Sequence, residues 1–166
     1  SPVISTVLDA RTENVCSDIN PYGFPETSAR ALCLISGDTG EALYCKNADE
    51  PLPMASTTKI MTALVVCEHC NVLDRMIIPH EAVGIEGSSM YLKEGEILTV
   101  QELLYGLMLR SGNDAAVALA IYCGGTVEGF AELMNEKAAE LGLLDLAGCV
   151  AGNGGEDQLA GALIAG

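Results

Sequence analysis

The stretch Pro53-Met-Ala-Ser-Thr-Thr-Lys-Ile-Met-Thr-Ala-Leu64 is where the chain turns from extended text to helical text. Pro51 and Pro53 close off what precedes it, because proline has no N–H for a strand ladder. From Ser56 onward Ile60, Met61, Leu64 and Val65 recur at helical spacing. That period predicts a helix with this stripe buried, ending near Cys70-Asn71.

Upstream, Ala29–Ser36 is apolar apart from Arg30 and predicts a buried strand. Gly37-Asp-Thr-Gly40 supplies turn residues, and Glu41–Lys46 returns as a second strand with Leu43 and Cys45 on one face, completing a hairpin. Asp38-Thr39-Gly40 also spells the aspartic-protease triplet, but that chemistry needs two carboxylates sharing a proton and only one is present, seated in a turn. Residues 1–28 are polar, carry Pro21, Gly23 and Pro25, and read as a leader or linker.

Downstream, Arg75–Pro79 suits a short extended piece, and residues 84–96 read as loop with short strands around Met90-Tyr91-Leu92. Thr99 and Glu102 form a capping box, opening a helix that buries Leu103, Leu104, Leu107 and Met108. Ser111-Gly112-Asn113 interrupts it. An alanine-rich helix follows from Asp114 and closes at Gly124-Gly125. Thr126 caps the last helix, which carries Phe130, Leu133, Met134, Ala138 and Leu141 on one side and ends at Gly142. Residues 29–46 are thus sheet, 56–142 mainly helix, and 143–166 a glycine-rich segment without clear period.

Eight Lys and Arg against 23 Asp and Glu leave a formal charge of -15. Phosphate backbones and anionic membrane surfaces would repel such a chain, so nucleic acid is excluded as an expected partner. No apolar run nears the roughly 20 residues of a membrane span. The seven cysteines are odd in number. Cys67-Glu-His-Cys70 has a metal-like or redox-like spacing, but no second pair follows at zinc-ribbon distance, which favours packing thiols. Neither a metal nor a cofactor is expected.

Ser56-Thr57-Thr58-Lys59 carries the chemistry. Residues at i and i+3 share a helix face with Cβ atoms roughly 5–6 Å apart, so a neutral Lys59 amine can take the Ser56 hydroxyl proton. Neutrality requires desolvation or a nearby positive charge. A chain this long should contain on the order of one Ser-x-x-Lys by chance, and the motif alone favours an N-cap Ser with a solvated Lys. Ser111-Gly112-Asn113 can present a hydroxyl for proton relay and an amide for substrate, or be a helix corner capped by Asn113 or Asp114.

Taken together and in this order, these elements resemble the low-molecular-mass D-alanyl-D-alanine carboxypeptidases, which are penicillin-recognising serine peptidases. The likeness runs from about Ala29 to Leu143. It includes Gly37–Tyr44, the quoted Pro53–Leu64, Glu86-Gly-Ser-Ser-Met-Tyr-Leu-Lys-Glu-Gly95, Leu103-Leu-Tyr-Gly-Leu-Met-Leu-Arg-Ser-Gly-Asn-Asp-Ala-Ala116 and Phe130–Gly142. The resemblance implies an α+β, β-lactamase/transpeptidase-like fold, here a helical subdomain plus an incomplete antiparallel sheet, with 29–142 as the catalytic domain. It implies Ser56 as nucleophile, Lys59 as base, Ser111 as a third catalytic group and Asn113 as a substrate-binding residue. The substrate would be a peptidoglycan stem peptide ending in D-Ala-D-Ala, with β-lactams as inhibitors and an extracytoplasmic location.

The family's third motif, Lys-Thr-Gly or a close variant, does not occur in the chain, whose last lysine is Lys137. The expectation is a form truncated before that motif, with membrane association only through a C-terminal anchor that is missing here. An inactive fragment that at most binds wall peptides and a β-lactamase-like hydrolase are the alternatives.

Overall fold

The computed structural model describes residues 18–48, 50, 52 and 55–142; the 143–166 segment and most of the 1–28 leader lie outside the described residues. The chain divides into two units, Ser1–Leu52 and Pro53–Gly166.

In the first unit, β1 (Leu32–Ile35) and β2 (Ala42–Lys46) form an antiparallel hairpin. The turn closes through Ser36 N to Glu41 O at 2.8 Å and Gly40 N to Ser36 O at 2.9 Å, with Gly40 at φ 72°. Leu34 pairs with Tyr44 but Ile35 pairs with Ala42, so the register slips at Leu43. This bulge corrects the expected alternation: Tyr44 and Cys45 are the buried pair, not Leu43 and Cys45. β1 is also not a buried strand, since Leu34 and Ile35 are exposed. A two-stranded ribbon has too little surface to bury both faces. Within the stretch read as leader, Ile19 bridges Cys45 through N–O contacts of 3.1 and 2.9 Å, and the Phe24 ring stacks on Tyr44.

The second unit opens with a 3₁₀ turn, Ala55–Thr57, that runs into α1 (Thr58–His69). A second ribbon follows, β3 (Arg75–Ile77) against β4 (Ile97–Thr99), with Met76 opposite Leu98. The expected strand at Met90-Tyr91-Leu92 does not form. The backbone amides of Met90 and Leu92 bond a carboxylate, described below, and are lost to any ladder.

Thr99 and Glu102 form the expected capping box at the start of α2 (Val100–Arg110), and the Thr99 hydrogen bonds hold the Glu102 carboxyl below its usual range. α3 (Asn113–Gly124) is buried from Asn113 through Ala120, and its alanines let neighbouring helices approach closely. α4 (Val127–Glu140) is capped by Thr126, and Gly142 at φ 70° follows its end. Lys137 on α4 pairs with Glu68 on α1 at 2.7 Å and with Glu140.

Val65, Val66, Ile78, Leu103, Leu107, Leu119, Phe130 and Met134 make the core. Two expected stripes are corrected. Ile60 is 61% exposed and Leu64 37%, while Thr58, Lys59 and Thr62 are buried on α1 beside Val65 and Val66. α1 is turned so that its polar side meets the α2–α3 corner. Met108 on α2 is likewise exposed.

Candidate active site

Ser56 lies in the 3₁₀ turn, one turn of chain before Lys59 on α1. It is not the N-cap; Thr57 is. The preceding Ala55 has φ 47°, a left-handed backbone that costs a non-glycine residue about 1–2 kcal/mol. Ser111 ends α2 at φ 53°, ψ 37°, also left-handed, and its hydroxyl reaches across to donate to Ser56 Oγ at 2.9 Å. Strain at two residues flanking one pair of hydroxyls marks where tertiary structure overrides local preference.

Lys59 is 3% exposed, which removes the solvated-lysine alternative. Its Nζ donates to Asn113 Oδ1 at 2.7 Å, to Ser111 Oγ at 3.1 Å and to Ser56 Oγ at 3.5 Å. Three acceptors match the three N–H bonds of the ammonium form. Burial pushes the Lys59 amine below the ordinary lysine range, because desolvation disfavours the charged form. When the proton leaves, one N–H must be replaced by a lone pair. Asn113 Oδ1 can only accept, so the lone pair cannot face it; it must face one of the two hydroxyls. The site is thereby oriented toward taking a proton from serine.

All four residues singled out in the sequence converge here. The helix-corner expectation is corrected in one respect: the N-cap of α3 is Gly112, and neither Asn113 nor Asp114 caps it. Asn113 instead uses Nδ2 to donate to the Glu86 carbonyl at 2.8 Å, while its backbone N–H donates to Ser88 O at 2.7 Å. Gly87 sits against this amide at φ 93°, and a Cβ there would fall 2.7 Å from Asn113 Nδ2.

Asp114, directly after Asn113, is fully buried. Burial raises its carboxyl, but hydrogen bonds from Ser89, Met90, Leu92 and Ala115 outweigh that and hold it below the usual carboxylate range. No periodicity signals such a residue.

Cys67 is exposed, whereas Cys70 meets Cys123, whose thiol is pushed up to about 12 by burial and by the Cys70 contact. Among the described residues no group of three or more potential metal ligands occurs.

A family model for D-alanyl-D-alanine carboxypeptidase matches residues 19–149. The D-alanyl-D-alanine carboxypeptidase DacF of Bacillus subtilis is 43% identical over 120 residues, covering 69% of this chain and 31% of its own. DacC of Escherichia coli is 40% identical, covering 72% and 32%. Among solved structures, the carboxypeptidase DacD from Francisella tularensis superposes with a TM-score of 0.70 at 36% identity, covering 78% of this chain and 32% of that one. A variant of the Streptomyces K15 DD-transpeptidase gives 0.67 at 39% identity, covering 72% and 51%. The chain therefore spans about a third of the length of the first two relatives, at 31% and 32%. The fold is accordingly α+β and transpeptidase-like.

Proposed function

The chain belongs to the D-alanyl-D-alanine carboxypeptidase family, and from that premise we propose that residues 29–142 carry a serine-type carboxypeptidase site. The substrate is a peptidoglycan stem peptide ending in D-Ala-D-Ala, met outside the cytoplasmic membrane. Ser56 Oγ attacks the carbonyl carbon of the penultimate D-Ala. Its proton passes to neutral Lys59, the C–N bond breaks, and the terminal D-Ala departs with a proton. Water then resolves the acyl-enzyme. A β-lactam acylates the same serine and mimics the peptide.

The supporting observation is the contact order at Lys59. The direct Nζ–Ser56 separation is 3.5 Å, but Ser111 lies 3.1 Å from Nζ and 2.9 Å from Ser56 Oγ. Both shorter legs fall within ordinary hydrogen-bond range, so Ser111 serves as the proton shuttle between nucleophile and base. Asn113 steers the Lys59 lone pair and offers its amide edge to the substrate.

The second reading is wall-peptide binding without turnover. Incubation with a fluorescent penicillin tests the first. Covalent label on the wild-type chain and none on Ser56→Ala is expected; no label on either sinks it. Release of D-alanine from a D-Ala-D-Ala peptide separates turnover from binding alone. Rapid hydrolysis of a chromogenic cephalosporin, in place of a lasting adduct, would point to a β-lactamase-like hydrolase.

A further inference from the structure

Asp114 is 1% exposed, one residue after Asn113, yet it makes no bond to Ser56, Lys59 or Ser111 among the described contacts. Its carboxylate instead collects the 86–92 loop. Ser89 Oγ donates to Oδ2 at 2.6 Å, Met90 N to both oxygens at 3.0 Å, and Leu92 N to Oδ2 at 3.1 Å; Ala115 N adds 2.9 Å. A carboxylate is acceptor-only, with about four lone-pair positions, so these bonds saturate it. The loop is bent hard to reach it. Tyr91, between two of the donors, sits at φ 62° with its ring 81% exposed, and its own N–H is taken by Ser89 Oγ at 2.8 Å.

The other end of that loop touches Asn113. Glu86 O accepts from Asn113 Nδ2 and Ser88 O from Asn113 N. A carbonyl can accept only, so Glu86 decides which way the Asn113 amide faces. With Nδ2 committed to Glu86, Oδ1 must face Lys59. The reversed amide would aim an N–H at Nζ and claim the lone pair that Ser56 needs.

We propose that Asp114 is a positioning residue for acylation: it clamps the 86–92 loop so that Glu86 fixes the Asn113 amide with its oxygen on Lys59. This rests on the carboxypeptidase reading for its consequence, but not for its geometry. Asp114 acts through Asn113 and touches no reacting atom. The hydrogen-bond partners of Lys59 are Ser56, Ser111 and Asn113, all neutral. An N–H on a charged nitrogen bonds an acceptor more strongly than one on a neutral nitrogen, so loosening Asn113 should favour the neutral amine further.

The test uses wild type, Asp114→Asn and Ser89→Ala, prepared with isotope-labelled lysine. Only four lysines are present, Lys46, Lys59, Lys93 and Lys137, so the Lys59 signal can be assigned by Lys59→Arg. Two quantities are followed against pH at a temperature where each variant is folded by circular dichroism: the Lys59 titration, and the rate of acylation by fluorescent penicillin. In Asp114→Asn the Lys59 midpoint should move to lower pH, the acid limb of acylation should move with it, and the high-pH plateau should fall about 10–100-fold, the size of a misplaced catalytic group. Mere loss of folded protein scales the profile without moving its limb, and that result overturns the proposal. So does a profile and titration superimposable on wild type. Where Asp114→Asn does not fold, Ser89→Ala removes one bond from the clamp and should shift both readouts in the same direction by less; an unshifted Ser89→Ala then overturns it. A wild-type chain that penicillin does not label defeats the carboxypeptidase reading alone, because the lysine titration still judges Asp114.

Discussion

The shortest contact of the Lys59 ammonium is with Asn113 Oδ1, at 2.7 Å and 54 positions away in sequence, not with Ser56 on its own helix turn at 3.5 Å. In the proposed mechanism the base is therefore held by a residue other than its nucleophile, which would keep the amine in place through the proton transfer, when its bond to serine must change.

Lys59→Arg should preserve the fold and abolish acylation. A guanidinium stays protonated at any accessible pH and has no lone pair to offer. The expected loss is roughly 10²–10⁴-fold or more, the contribution of a general base. Ser111→Ala should fall less, because the 3.5 Å direct path survives. Stopped-flow labelling with a fluorescent penicillin ranks the two, and a Ser111→Ala rate equal to wild type would remove Ser111 from the shuttle role.

Acylation should rise with pH along a limb set by Lys59, and that limb should lie below the ordinary lysine value of roughly 10.4, because burial lowers its pKa. Stability carries the same signature. Between the folded and unfolded midpoints the unfolded chain holds a proton that the folded chain lacks, so raising pH across that window favours folding. Relative to Lys59→Met, the wild-type chain should gain stability as pH climbs through the window, and show no such trend below it. Thermal midpoints of both chains from pH 7 to 11 check this.

Gly124→Ala should destabilise sharply even though Gly124 ends a helix where alanine is ordinarily the better former. A Cβ there would fall 2.3 Å from the Phe130 backbone nitrogen and 2.5 Å from its Cα, and Phe130 is fully buried. Backbone cannot step aside as a side chain can, so a loss of about 3 kcal/mol is expected. Gly106→Ala meets Met90 side-chain atoms instead, the nearest at 1.7 Å, and should cost less because the thioether can rotate away. Urea titrations of both variants decide the order.

Tyr91→Gly should stabilise the chain. The tyrosine is 81% exposed and so loses little packing, while φ 62° costs a non-glycine residue about 1–2 kcal/mol. Subtracting glycine's greater unfolded freedom, about 0.5–1 kcal/mol, leaves a gain of about 0.5–1 kcal/mol. A lowered urea midpoint would show that the ring has contacts worth more than the strain.

Much of the helical part could be read from residues near one another in sequence. The Thr99–Glu102 box, the Thr126 cap, Gly142 and the break at Ser111-Gly112-Asn113 all fall where the text placed them. So do the four residues that converge at the site. Caps and turns are decided within four or five positions, by whether a side chain can satisfy a free N–H or a backbone can turn left-handed.

Only the tertiary structure decided which side of α1 faces inward. Hydrophobicity alone favoured Ile60 and Leu64; the packed chain buries Lys59 and Thr62. A charged amine is tolerated there because Ser111 and Asn113, brought by another pair of helices, satisfy its donors. The Asp114 clamp, the displaced strand at Ile97–Thr99 and the bulge at Leu43 were likewise invisible. Each depends on partners far along the chain, and no local pattern encodes who those partners are.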